Sequence, residues 1–311
     1  MKALEGRASL VVLLGPTASG KTEISISWAR RLGFEILSAD SMQVYRFMDI
    51  GTAKPSREVR EEIPHHMIDV VFPDEPYNAA RFQREADRAI EDIRKRGRPV
   101  LVVAGTGLYL RALTRGLFEG VERDPSIRRI LHQKARKEGV GALYQMLRDV
   151  DPERAQRIHP HDLFRIVRAL EVFMVSGTPM SDHHKRHGLG KERYRTLYLG
   201  IERDRRDLFQ RIERRVDRMI REGLKEEVQR LLAMGYDPGL SSMKAIGYKH
   251  MASHLMGLTP LDEAVRQMKR DTKRFARRQL TWFKAMDGVK WFSPEEAEDL
   301  LPLIEDFLEG Q

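Results

Sequence analysis

The segment Gly15-Pro16-Thr17-Ala18-Ser19-Gly20-Lys21-Thr22 constrains this chain more than any other. It matches the phosphate-loop pattern G-x-x-x-x-G-K-[ST] in full. Average composition gives a chance match in about one chain of this length in a hundred. Before it, Leu10–Leu14 is a continuous apolar run that reads as a buried strand. After it, Lys21–Leu32 has a helical pattern closed by Gly33. In such a loop, backbone N–H groups turn inward around phosphate oxygens, and the helix N-terminus adds partial positive charge. Lys21 is placed to reach the terminal phosphates, and the Thr22 hydroxyl to ligate Mg²⁺. The pattern cradles a diphosphate or triphosphate end without saying what is attached to it.

The surrounding sequence alternates strands and helices. Phe34–Ser38 reads as a second strand, Met67–Val71 as a short β-like run, and Val100–Ala104 as a fully apolar strand. Between them Asn78 caps a helix carrying Phe82, Ala86, Ala89, Ile90 and Ile93 on one face. The expected fold is α/β: a phosphate-loop NTPase-like parallel sheet flanked by helices. From Asp124 to Arg193 the strand-like runs give way to charged helical segments, opened by Asp124-Pro125, by Asp151-Pro152 and at Pro160. The expected division is a catalytic core of 1–123 and 194–311, with 124–193 as an all-helical insertion domain. Ser181–Arg193, with His183, His184, Lys185, Arg186, His187 and Lys191, reads as a polar loop; it lacks the companion acid of a metal site. Thr196–Ile201 returns to the sheet. Asp204 then caps a long helix, Leu261–Met286 is a second one dense in Arg and Lys, and Val289–Phe292 is a last strand.

In parallel sheets ligands bind at the carboxyl ends of the strands. Polar clusters stand there at Gly15–Thr22, Asp40–Gln43 and Gly105-Thr106. Val100–Ala104 ends in Gly105-Thr106 rather than the metal-holding acid of an NTPase, which counts against nucleotide hydrolysis. Asp40 suits a general base acting beside bound phosphates, and equally a turn or helix cap. Gln43 offers a donor and an acceptor edge suited to a nucleobase. Composition narrows the partners. With 55 Lys+Arg against 46 Asp+Glu the net charge is +9, which suits a polyanion. The Cys count is 0, which excludes disulfides, thiol catalysis and Cys-based zinc sites. No apolar run approaches the roughly 20 residues that span a bilayer, and the first residues do not resemble a signal peptide. A cytoplasmic protein with no membrane partner is expected, and nothing calls for more than a monomer.

Several ordered motifs resemble the tRNA dimethylallyltransferases. They are the phosphate loop, Asp40-Ser41-Met42-Gln43-Val44-Tyr45-Arg46, Met48–Pro55, Pro64-His65-His66, Gly105-Thr106-Gly107-Leu108-Tyr109, Arg165–Val172, Ile246-Gly247-Tyr248 and Arg277–Phe283. The resemblance runs from about residue 10 to about residue 292 and is to the compact bacterial form. A chain without cysteine cannot carry the zinc finger of the eukaryotic members. One departure is Ala104, where a glycine is usual; it is tolerable if the backbone there has negative φ.

The resemblance implies transfer of a dimethylallyl group from dimethylallyl diphosphate to N6 of adenosine 37, beside the tRNA anticodon. Asp40 would be the base, helped by Thr106 and Lys21. Gly15, Pro16, Thr17, Ala18, Ser19, Gly20, Lys21 and Thr22 would hold the diphosphate with Mg²⁺. Arg168 and Arg278 are candidates for further diphosphate contacts. The tRNA anticodon stem-loop would meet Asp40, Ser41, Met42, Gln43 and Thr106 in the pocket. Outside it the tRNA would meet Arg128, Phe164, Arg165, Ile166, Val167, Arg168, Lys244, Ala245, Ile246, Gly247, Tyr248 and Lys249. The basic run Lys269–Arg278 is a further candidate RNA face. Two rivals remain at this point: an adenylate dimethylallyltransferase acting on a free nucleotide, and a phosphate-loop NTPase that binds RNA.

Overall fold

The computed structural model describes residues 8–117, 124–186 and 192–310. They fall into two compact units: 8–114 with 192–310, and 115–117 with 124–186. In the first unit the elements run β1 (Ser9–Leu14), α1 (Lys21–Leu32), β2 (Glu35–Ala39), α2 (Arg57–Glu62), β3 (His65–His66), α3 (Ala79–Lys95), β4 (Val100–Ala104) and α4 (Gly107–Arg115). The second unit is helical: α5 (Pro125–Glu138), α6 (Val140–Val150), α7 (Pro152–Gln156), α8 (Leu163–Ser176) and α9 (Met180–Arg186). The chain then resumes the first unit with β5 (Arg195–Ile201), α10 (Arg205–Arg221), α11 (Leu224–Ala233), α12 (Tyr248–Leu255), α13 (Leu261–Lys284), β6 (Val289–Phe292) and α14 (Leu301–Glu309).

The strands form a 6-stranded sheet in the order β3-β2-β4-β1-β5-β6, with every pair parallel. Connections leave the neighbours β1 and β4 toward opposite sides, to β2 and β5 respectively, which opens a crevice at their carboxyl ends. The central strands β1 and β4 are apolar on both faces from Leu10 to Leu14 and from Val100 to Ala104, as a sheet covered on both sides requires. Val11 and Leu13 pack on Trp28 of α1 and Ile304 of α14, with Phe292 of β6 against them. Trp28 stacks on Phe292 and donates its indole N–H to the Ala297 carbonyl at 3.1 Å, so the buried ring leaves no orphan donor.

A second core joins α10–α13 to the loop after β2 through Val44, Met48, Val216, Leu224, Met243 and Met268. The helical unit has its own core of Leu131, Leu143, Leu147, Ile166, Val167 and Leu170. Among the described residues no helix is long and apolar enough to cross a membrane.

Predicted helix starts are real caps. Asn78, Asp124, Asp151 and Asp204 each accept a backbone N–H from the first turn that follows. Three expectations shift. Met67–Val71 is not a strand: Met67 and Asp69 adopt positive φ (65 and 57), which breaks an extended run. The pairing with β2 falls at His65–His66 instead, and Val71 makes only an isolated bridge to Tyr45. The helix expected at Pro160 begins at Leu163, where the Asp162 carboxylate takes the Arg165 N–H. In the polar loop expected from Ser181, residues 181–186 belong to the helix α9, started on the Pro179 carbonyl, which accepts from Asp182 and His183. His187 and Lys191 lie outside the described residues. Ala104 is not among the residues with positive φ, so the departure from glycine costs no backbone strain.

Candidate active site

The sheet register aligns three polar turns. Leu14 and Ala39 are both Cα partners of Ala104, so Gly15, Asp40 and Gly105 leave the sheet at one level. The Ala39 carbonyl then accepts the N–H groups of Gly105 and Thr106, at 3.3 and 3.0 Å, and closes the two turns on each other.

The phosphate loop is held by its carbonyls. Lys21 Nζ donates to the carbonyls of Gly15 and Pro16, both at 2.8 Å. From the β5 end Arg203 Nε donates to Ser19 O at 2.6 Å, and from α10 Arg211 Nε donates to Ala18 O at 2.9 Å. The first N–H groups of α1 have no intrahelical partner and no side-chain cap at Gly20, and they remain for an anion. Ala18 holds a positive φ of 65, strain at the loop apex that the guanidinium contact stabilises. Burial and the neighbouring Arg215 push Lys21 down to about 7, against the pull of Asp40 and Glu23. Burial also lowers Arg215, again opposed by Asp40 and Glu23, so a second cation from α10 feels the same carboxylates.

Asp40 divides its oxygens. Oδ1 accepts the N–H groups of Met42 and Gln43 at 2.8 and 3.4 Å, the turn-cap role. Oδ2 faces Gly105: a Cβ there would stand 2.7 Å from it. Thr106 Oγ1 accepts the Ser41 N–H at 3.0 Å and donates to Ser41 Oγ at 3.2 Å, so the next strand end fixes the turn that carries Asp40. Gln43 is already engaged. Its Oε1 accepts from Ser38 Oγ at 2.8 Å, and its Nε2 donates to the Thr52 and Ala53 carbonyls at 3.3 Å. The amide expected to read a base ties the turn to the following loop.

The expected outer contacts fall into two groups. Phe164 is 68% exposed, and Arg165 is exposed beside Asp162. Lys244 is exposed; Lys249 is exposed and paired with Asp271 at 2.6 Å, with Ala245 and Ile246 half-buried behind them. Ile166, Val167 and Tyr248 are core side chains and do not offer a surface contact, because their apolar bodies fill the two helical cores. Arg128 and Arg168 both grip Glu171, at 2.8 and 2.7 Å, inside the helical unit. Burial raises the Glu171 carboxyl, but the hydrogen bonds from Arg128, Arg168 and the Asp124 N–H, with the Arg128 charge, together make the net shift downward. Arg278 is exposed on α13 with its guanidinium over Phe275. The guanidinium groups bonded to the phosphate loop are those of Arg203 and Arg211, on its carbonyl side.

On the basic helix Lys269 and Lys273 pair with Asp217 and Glu213 of α10, while Arg274, Arg277 and Arg278 stay exposed.

Sequence reasoning missed Arg203, Arg211, Arg215 and Gln279. A usable signal existed for two of them. Leu208, Ile212, Val216 and Met219 mark the buried stripe of α10, and Arg211 and Arg215, four residues apart, flank it on one side. Among the described residues no group of three or more His, Asp or Glu gathers to hold a metal. A cation here needs ligands from the substrate, and one hydroxyl beside bound phosphates is the donor set Mg²⁺ accepts.

Two family models match the chain: isopentenyl transferase over residues 8–67 and IPP transferase over residues 43–286. A tRNA dimethylallyltransferase 2 of Geotalea uraniireducens is 48% identical over 293 residues, 94% of each chain. The solved tRNA isopentenylpyrophosphate transferase of Bacillus halodurans is 39% identical with a TM-score of 0.72, covering 98% of both chains. A eukaryotic dimethylallyltransferase solved acting on tRNA is 28% identical with a TM-score of 0.84, covering 98% of this chain and 80% of that one.

Proposed function

The chain belongs to the tRNA dimethylallyltransferase family, and from that premise we propose how its residues divide the reaction. It is a prenyltransferase that moves the dimethylallyl group of dimethylallyl diphosphate to N6 of adenosine 37 in tRNA. The observation that carries the assignment of roles is the common level at which Gly15, Asp40 and Gly105 leave the sheet.

The diphosphate sits on the N-terminus of α1 and takes the Lys21 ammonium from the loop carbonyls. As the allylic C–O bond breaks, its electron pair passes to the diphosphate, and Lys21 and Arg215 face the growing charge. The Thr22 hydroxyl would help to hold Mg²⁺, which would supply Lewis-acid stabilisation of the leaving group. The N6 lone pair forms the new C–N bond. The amine is weak because its lone pair is delocalised into the purine, so the proton it sheds needs an acceptor within hydrogen-bond reach. Asp40 Oδ2 takes that proton while Oδ1 keeps the turn in place. Thr106 holds Ser41 and so aims Asp40.

The adenine leaves the loop stack to enter this pocket, as base-modifying enzymes require. The helical unit meets the anticodon stem-loop through Phe164 and Arg165. Lys244, Lys249 and the exposed arginines of α13 meet it from the core. The work is placed in the cytoplasm, with the tRNA.

The test is a choice of acceptor. With dimethylallyl diphosphate and Mg²⁺ supplied, alkyl transfer to tRNA and not to free AMP is expected. Transfer to AMP instead would make the chain an adenylate dimethylallyltransferase, and ATP hydrolysis without alkyl transfer would make it an NTPase.

A further inference from the structure

Gln279 lies on α13, far in sequence from the strand-end turns, yet its amide touches two of them. Its Oε1 accepts the Thr17 N–H at 2.8 Å, inside the phosphate loop. Its Nε2 donates to the Gly105 carbonyl at 2.7 Å, one residue before Thr106. The residue is 7% exposed. Both partners fix the amide's orientation, since an N–H needs an acceptor and a carbonyl needs a donor. One turn on, Trp282 lies against Gly107: a Cβ there would stand 2.2 Å from its ring. Only glycine lets α13 approach this closely. The same face of α13 thus seats on the 105–107 turn at two points. A Cβ on Gly105 would stand 2.7 Å from Asp40 Oδ2 and 3.8 Å from Gln279 Nε2, so the carboxylate and the amide flank one backbone carbon.

We propose that Gln279 is a positioning residue that sets the spacing between the phosphate loop and the Asp40–Thr106 turn, through its paired hydrogen bonds to Thr17 N–H and the Gly105 carbonyl. It rests on the roles assigned above to the loop and to Asp40. A link between the leaving-group cradle and the base matters most in the transition state, where both act on one carbon–nitrogen exchange. Small misplacements there are expensive, about a hundredfold in rate for 1 Å. Loss of the link therefore lowers kcat more than it weakens the binding of either substrate. Gln279 itself touches neither substrate; it acts through Thr17 and Gly105.

The chemistry of the two bonds gives a signature that packing alone does not. In Gln279→Glu a carboxylate still accepts from Thr17 but repels the Gly105 carbonyl. A protonated carboxyl donates to that carbonyl and restores both bonds. Gln279→Leu keeps the volume and loses both at every pH.

The test measures kcat and both KM values for the wild type, Gln279→Glu and Gln279→Leu between pH 5.5 and pH 9, a range of roughly one unit above the usual carboxylate value to well beyond it. Expected is a kcat for Gln279→Glu about tenfold or more below wild type at the alkaline end, with the ratio to wild type recovering as pH falls. KM for dimethylallyl diphosphate and for tRNA should stay within a few-fold. Gln279→Leu should be low throughout, with no such recovery. A Gln279→Glu ratio that stays flat with pH, or a loss confined to KM, overturns the proposal. If Gln279→Leu does not fold, the Gln279→Glu ratio alone decides. An inactive wild type would instead sink the assigned function, so the two failures are distinct.

Discussion

The Tyr248 hydroxyl donates to Glu227 Oε1 at 2.6 Å, and both residues are sealed in the core between α11 and α12. The same carboxylate accepts the N–H groups of Asp49, Ile50 and Gly51 at 3.1, 2.9 and 3.3 Å, so one buried charge anchors the loop that follows the Asp40 turn. Burial and the adjacent Glu227 raise the Tyr248 hydroxyl well above its ordinary value, which keeps it a donor. Tyr248→Phe leaves a buried carboxylate one charge-assisted bond short, at a cost of about 2 kcal/mol. Urea unfolding checks the loss. The affinity for tRNA should be unchanged, because the ring never reaches the surface; a large loss of tRNA affinity in a folded Tyr248→Phe protein would contradict this placement.

Asp40→Asn separates the two oxygens of the carboxylate. The amide carbonyl still caps Met42 N–H, so the turn survives, while the proton acceptor is gone. Turnover should fall by about a hundredfold or more, with tRNA affinity within a few-fold of wild type. Single-turnover rates and a direct binding titration read the two effects. Equal losses in both would mean that Asp40 serves only the turn.

Glu35 gives the acid limb of stability a local source. Hydrogen bonds from Arg96 lower its carboxyl, burial opposes them, and a further hydrogen bond to His66 adds to the lowering. A carboxyl lowered on folding stabilises the fold above its unfolded value, about 4.3, and that contribution is lost as pH falls through the folded value. Glu35→Gln should therefore be less stable at neutral pH and lose less on going from pH 6 to pH 3. Thermal melting across that range checks it. Parallel curves for variant and wild type would remove Glu35 from the acid limb.

The basic face of α13 is smaller than its sequence suggests. Lys269 and Lys273 are tied to acids of α10, whereas Arg274, Arg277 and Arg278 are exposed. Arg274→Ala with Arg277→Ala should weaken tRNA binding and flatten its salt dependence, by about one unit of slope for each phosphate no longer neutralised. Lys273→Ala should leave the slope nearly unchanged. An unaltered slope in the double variant would make this face merely solvated.

What the sequence disclosed follows the range of the interactions. The phosphate loop, the apolar strands and the caps at Asn78, Asp124 and Asp204 are local patterns, and they stand where expected. The strained turn at Met67–Asp69 is local too, but no residue type announces its positive φ, so the apolar run there mimics a strand. Gln279 lies 262 residues from Thr17, and Tyr248 finds Glu227 only when α11 packs on α12. Those roles are properties of the folded chain. Gln43 and Arg168 show the other limit: residue types suited to a base or a phosphate are engaged by Ser38 and Glu171 within the protein.

Alkyl transfer to adenosine 37 is tested most directly by mass analysis of nucleosides from tRNA incubated with the wild-type protein, dimethylallyl diphosphate and Mg²⁺. N6-(dimethylallyl)adenosine is expected, formed once per tRNA and absent when adenosine 37 is replaced by another base. Unmodified adenosine throughout, or alkylation that persists without adenosine 37, would contradict it.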